Sequence, residues 1–399
     1  MLPLNGSTNI FKWLTKPGVA GLLLLLIFTG RLPAQDQTSL LLQEDFLEDA
    51  RHAIHLAYNL EYDASVEYLG DWQTRHPDHP LWEFWPVMNK WWEVVPDLEQ
   101  EEYDEAFFDQ LEKSIEASDK HLDNHPDDVD ALIIKAAGYG FSARLNSNRH
   151  NWYRAVRDGR RAMSYLEEVE EKYPGLPDSE FGNAMYQYFS AFLRDEYPAV
   201  RIVSWALSSG DRQKGLELLD YVADEGIILG PESRYFLGHI NLHYEESFHQ
   251  ALPYLESLAS DFPKNSYFTR MLIRAHFRYG NNAEAKRLLD DAFAQEFLNS
   301  RHIELAANEE LHYMYGRILM REQNYEAARD HLEQSQQASA RLSTNTERRF
   351  QVQAGYYLGR VYQRLDEPEA ARRQFTKIAN ADTDSNLKEQ AQNRLNRMN

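Results

Sequence analysis

The sequence predicts an all-α chain, an α-solenoid in which antiparallel helix pairs stack into a superhelix, and three observations carry that prediction. The C-terminal third repeats itself at a step of 43 residues: Gly316-Arg317 returns as Gly359-Arg360, and Glu326-Ala327-Ala328-Arg329 returns as Glu369-Ala370-Ala371-Arg372. Four of the prolines that follow an aromatic or imidazole residue, at His76-Pro77, His125-Pro126, Tyr173-Pro174 and Phe262-Pro263, have a small residue twelve positions before them: Ser65, Ser114, Ala162 and Ala251. No stretch alternates with the two-residue period of a half-buried strand for any useful length.

Each observation has a steric reason. Proline lacks the amide that a continuing helix needs and drives the preceding residue out of the α region, so the four prolines end helices. Two short antiparallel helices cross closely only where side chains are nearly absent, which is what the recurring glycine and alanine supply. In each C-terminal unit the glycine and alanine are twelve residues apart, with Leu319 or Tyr362 three after the glycine and Leu332 or Phe375 four after the alanine. That is the spacing of tetratricopeptide repeats, in which every unit buries its apolar face on its neighbours.

Taken in order, the pattern predicts helices at 43–60 with 63–75, 101–124, 129–145 with 151–173, 178–194 with 211–225, 231–246 with 248–261, 266–279 with 281–296, 302–322 with 324–342, and 346–365 with 367–380. Leu387, Ala391, Leu395 and Met398 give residues 384–397 one apolar stripe and one wet face, as a capping helix needs. A Trp-rich helix is predicted between Pro80 and Pro96, with Trp82, Trp85, Met88 and Trp92 as its inward stripe and Trp91 left over. A short apolar helix containing Val203, Trp205 and Leu207 reads as an insertion between Tyr197 and Asp211.

A chain of 399 residues exceeds most single compact cores, and a stacked array accommodates that length. Residues 1–34 read as an export signal, with Lys12 and Lys16 before an apolar core from Val19 to Phe28 and a small Ala34 at the expected cut. The remainder divides into N-terminal helical repeats with the Trp-rich helix (35–128), a central core with the insertion (129–265), and C-terminal repeats with the cap (266–399). Formal net charge is −21, and −24 once Lys12, Lys16 and Arg31 are set aside, which argues against a nucleic-acid partner. With no cysteine, disulfides, thiolate metal sites, thiol catalysis and a lipid-modified cysteine are excluded.

The middle of the chain carries Phe181-Gly182, Tyr186, Tyr188, the apolar segment with Trp205, Gly210-Asp211-Arg212, Gly215-Leu216, Leu218-Leu219 and Glu232-Ser233-Arg234-Tyr235-Phe236-Leu237 in that order. Over residues 129–265 this resembles a group of exported bacterial tetratricopeptide proteins, and more distantly the yeast inclusion-body-clearance protein and its animal relatives. The resemblance implies the helical-repeat fold and export to the cell envelope, and implies no reaction. Read from the residues themselves, Asp211 is placed to cap the helix that begins near Arg212, and Arg212 to pair with a carboxylate of the insertion.

Few constellations offer chemistry. His239 and His243 lie four apart on one helical face, but Ile240 stands where a zinc hydrolase needs its glutamate, and His125 of the pair His121/His125 is at a helix end. Serine-nucleophile motifs, phosphate-cradling loops and dinucleotide fingerprints are absent, so no cofactor, metal or catalytic residue is assigned and the chain is read as a non-enzyme. Five of the eight tryptophans, Trp72, Trp82, Trp85, Trp91 and Trp92, fall in one span; the alternative function is glycan binding or glycan chemistry through them. Arg144, Arg149, His150, Arg154, Arg157, Arg160 and Arg161 form a basic cluster that either accepts an anionic group or neutralises the acidic helices after it. The expectation is a scaffold or assembly factor that binds a protein or peptide in its concave groove, in peripheral association with the envelope. Its candidate contacts are Arg144, Arg154, Arg157, Arg161, Asn183, Tyr186, Gln187 and Arg234.

Overall fold

The computed structural model describes residues 39–196, 210–294, 301–342, 347–383 and 385–398. The export segment and the apolar insertion helix lie outside the described residues. Residues 38–399 form one unit. Among the described residues there are 18 α-helices and no strand, and no helix is long and apolar enough to cross a membrane.

The helices are α1 (Glu44–Tyr58), α2 (Tyr62–Tyr68), α3 (Gly70–Arg75), α4 (Leu81–Val94), α5 (Asp104–Leu122), α6 (Val129–Asn148), α7 (Trp152–Lys172), α8 (Glu180–Glu196) and α9 (Arg212–Glu225). They continue as α10 (Gly230–His243), α11 (Phe248–Asp261), α12 (Ser266–Tyr279), α13 (Asn282–Ala294), α14 (Arg301–Arg321), α15 (Tyr325–Arg341), α16 (Arg349–Arg364), α17 (Pro368–Asn380) and α18 (Ser385–Asn396). Most sequence-adjacent helices pack on one another, as in a solenoid. Capping follows the sequence: the Asp128 carboxylate accepts from the Ala131 amide at 2.9 Å, and Asp211 accepts from Lys214 at 3.1 Å.

The repeat spacing is explained at the helix crossings. A β-carbon on Gly316 would stand 2.7 Å from Leu332 Cγ, and one on Gly359 would stand 2.8 Å from the Phe375 ring. Ala328 and Ala371, one turn before those apolar residues, are fully buried. The glycine therefore makes room for the side chain four positions after the alanine of the partner helix, which is why the two recur at a fixed interval.

The solenoid does not stay open. The C-terminal end of α1 packs on the turn between α11 and α12, where Asn265 Nδ2 donates to the Tyr58 carbonyl at 2.9 Å and the Lys264 amide donates to Asn59 Oδ1 at 3.2 Å. Helix α4 and the 3-10 turn Val95–Asp97 run along the inward faces of α6, α12 and α14. One apolar core consequently runs from Leu40 to Ala275.

Two sequence expectations change here. Trp91 is not left outside: it is 2 % exposed, wedged against Phe107 and Phe141, with the Arg144 guanidinium 4.5 Å above its ring. Arg212 pairs with Glu245 at 3.2 Å and Glu196 at 3.1 Å, an anchor between α8 and the end of α10. Periodicity identified a buried stripe on α4, whereas the helix is enclosed on more than one side, which no single period reveals.

Candidate partner-binding face

The residues proposed from sequence fall into three environments. Arg144 belongs to an internal network: its Nη1 donates to Glu232 at 3.2 Å, its Nη2 to the Tyr235 hydroxyl at 2.6 Å, and Tyr58 donates to the same glutamate at 2.8 Å. Glu232 and Tyr235 are buried, so this arginine neutralises a carboxylate inside the fold. Tyr58 of α1 and Trp91 of α4 both meet this network. Arg149 is likewise spent, donating through Nε and Nη2 to Asp104 at 2.6 and 2.8 Å and through Nη1 to the Leu98 carbonyl at 2.5 Å.

Asn183, Tyr186 and Gln187 share α8 and are half-buried. Asn183 Nδ2 donates to Glu180 at 3.0 Å, Gln187 Oε1 accepts from the Asp211 amide at 3.1 Å, and the Tyr186 carbonyl accepts from Ser190 Oγ at 2.6 Å. Arg234 donates to Asp261 and Ser257 at 2.5 and 2.6 Å. It lines a cleft of about 340 Å³ together with Arg51, His55, Gly226 and Gly230, between α1 and the ends of α9 to α11. The structure does not bring this residue to the arginines of α7.

Arg154, Arg157 and Arg161 are exposed on the first half of α7, beside Arg160. Arg157 Nε donates to Asp158 at 2.7 Å, and the Arg161 guanidinium lies 5.2 Å from the Tyr139 ring centroid. Sequence reasoning missed what accompanies them: Trp152, Tyr153 and Val156 are 56, 79 and 56 % exposed. The signal was available, since these apolar residues interleave the arginines instead of occupying the buried line Asp158, Ala162 and Val169. The second half of α7 packs on α8, where Leu166 fills the space beside Gly182; the first half carries this aromatic and basic face. Large apolar side chains grouped on a surface and flanked by guanidinium groups are the composition of a protein-binding hot spot.

The other constellations have structural explanations. His243 Nε2 faces Arg274 Nη1 at 3.0 Å, so the lone pair a metal would use is occupied by a guanidinium. Burial, reinforced by that guanidinium, pushes the imidazole down to about 3. Trp72, Trp85, Trp91 and Trp92 are buried and present no indole face on which a sugar could stack, and Trp82 is half-buried with its Nε1 donating to the His76 carbonyl at 2.6 Å.

Two family profiles, both described as tetratricopeptide repeat, match this chain, one over residues 242–307 and the other over 310–334 and 352–375. The chain therefore carries tetratricopeptide repeats, the helical unit of protein-interaction scaffolds. No curated protein matches it. Among solved structures it is similar to yeast Tom70, with 12 % identity and a TM-score of 0.41 over 80 % of this chain and 63 % of that one. It is also similar to the human IFIT1 dimer with PPP-AAAA, with 12 % identity and a TM-score of 0.39 over 80 % of this chain and 68 % of that one. The chain thus spans less than two thirds of the Tom70 length.

Proposed function

We propose that this protein is an exported, non-enzymatic tetratricopeptide scaffold that holds an acidic, aromatic-bearing segment of a protein partner on the first half of α7. The observation that carries the reading is the coincidence of exposed Trp152, Tyr153 and Val156 with four arginines and one aspartate between residues 152 and 161. On a chain of net charge −21 this basic face is a local exception, and it favours an anionic segment while the surrounding surface repels one. Guanidinium groups grip carboxylates in two-point fashion, and indole and phenol rings give contact area at little entropic cost. The inward surface, filled by α4, is less suited to a peptide than this outward one.

Selection from a displayed random-peptide library on the full chain tests the site. Enrichment of Asp/Glu-rich peptides with aromatic residues is expected, weakening with salt as exposed charges are screened over ~8 Å at physiological ionic strength. Replacing Arg154, Arg157 and Arg161 together by glutamine keeps length and polarity, and is expected to abolish that enrichment with helix content unchanged. Retention of the same peptides by the triple variant would rule the face out.

Export rests on the first residues, whose cationic start and short apolar core have the form of a signal. Protein recovered from an exporting host is expected to begin at or near Gln35, as N-terminal sequencing would show. Intact Met1 in the soluble fraction of the cytoplasm would overturn it.

A further inference from the structure

Side chains from three separate elements meet beneath the start of α6. His79 lies in the loop between α3 and α4, His121 in the last turn of α5, and Asp128 at the cap of α6. One donor atom from each lies within 4.8 Å of the other two. His79 is 5 % exposed, and the Nε2 atoms of both histidines are enclosed without a hydrogen-bond partner. Asp128 Oδ2 stands 3.5 Å from His121 Nε2, and Asp130, outside this group of three, has its Oδ2 3.2 Å from His79 Nε2.

The carboxylates are also held by other donors. Ser39 Oγ donates to Asp128 at 3.0 Å and the Leu41 amide donates to Asp130 at 3.2 Å, so a 3-10 turn at Leu40–Leu42 orients both acids. Two imidazole nitrogens and a carboxylate oxygen brought to one enclosed place are the donor set of a transition-metal site.

We propose that His79, His121 and Asp128 form a site for a divalent transition-metal ion of the zinc type. Two imidazoles and a carboxylate suit such an ion, whereas magnesium and calcium prefer all-oxygen shells of higher coordination number. The 3.5 Å between His121 Nε2 and Asp128 Oδ2 is close to the edge of a tetrahedron with metal–ligand bonds of about 2.0–2.1 Å. Coordination through Nε2 places the His79 proton on Nδ1, so the long 3.3 Å contact from the Leu81 amide to that atom is released when the ion binds. The ion ties the α3–α4 loop, the end of α5 and the start of α6 together. His125, four residues beyond His121, is not one of the donors that converge.

Cobalt(II) titration of the untagged full chain, stripped with a chelator, tests the proposal. One equivalent is expected to give the intense visible bands of four-coordinate cobalt, bleached by one equivalent of zinc and untouched by magnesium. His79→Gln and His121→Gln are each expected to lose these bands, with affinity falling beyond the roughly 10–100-fold loss typical of an outer-shell partner. His243→Gln is expected to keep them. If His79→Gln fails to fold, His121→Gln, whose ring is partly exposed, decides with its helix content checked by circular dichroism. A pale six-coordinate spectrum or no binding by the folded wild-type chain would overturn the site, as would unaltered bands in folded His121→Gln.

Discussion

Replacing Arg348 by methionine is expected to lower unfolding free energy by about 3–5 kcal/mol, the cost of stranding buried charge. The side chain is 2 % exposed and stands between two acids from distant parts of the chain: Nε donates to Glu309 at 2.9 Å and Nη2 to Asp97 at 3.0 Å. Burial works against the guanidinium charge, and the bonds to the two carboxylates outweigh it, so its pKa is raised. Methionine fills much of the same volume but leaves Glu309 and Asp97 enclosed without their cation. Lysine keeps the charge and loses the planar fork, so Arg348→Lys should fall between the two. In Arg348→Met/Glu309→Gln, removal of the stranded charge should restore part of the loss. Denaturant unfolding of the three variants measures this, and a loss below about 1 kcal/mol for Arg348→Met would show that the network contributes little.

The second large effect is expected at Trp92. This indole is 3 % exposed and meets three rings edge-on, Phe268 at 5.2 Å, Tyr58 at 5.3 Å and Tyr267 at 6.2 Å. Truncation to alanine should cost about 3–5 kcal/mol, with the lost edge-to-face pairs adding to the cavity. Because Trp92 fastens the N-terminal helices to α12, amide exchange should accelerate in residues 44–58 and 266–279 and stay unchanged in residues 368–396. Trp152→Ala is the contrast, since at 56 % exposure its loss should alter stability little while weakening peptide capture at α7. Equal stability losses for Trp92→Ala and Trp152→Ala would contradict both assignments.

Much of the candidate site was present in the sequence as composition but not as arrangement. Seven basic residues from Arg144 to Arg161 read as one cluster, yet a single turn between α6 and α7 separates Arg144, turned onto Glu232, from Arg154 and Arg157 in solvent. The metal-site residues were legible only in part. His121 was noticed for its i, i+4 spacing to His125, but its converging partners are His79, 42 residues earlier, and Asp128, across a turn. Helical periodicity relates residues on one helix and carries no term for side chains that meet from three.

By itself, the sequence determined that the chain is a stack of helix pairs, where most of those helices start and stop, and that Gly316 with Ala328 and Gly359 with Ala371 mark close crossings. These are local properties: a proline removes an amide donor, an aspartate caps an amide, and a missing β-carbon admits a neighbour whatever lies further along the chain. Only the tertiary structure decided that α4 fills the interior, that Arg348 reaches Asp97 and Arg144 reaches Glu232, and that Trp91 is buried while Trp152 is exposed. The curvature of the stack sets those outcomes. Tyr58 of α1 and Trp92 of α4 meet Phe268 of α12 across more than 170 residues of chain, a pairing that no one repeat encodes.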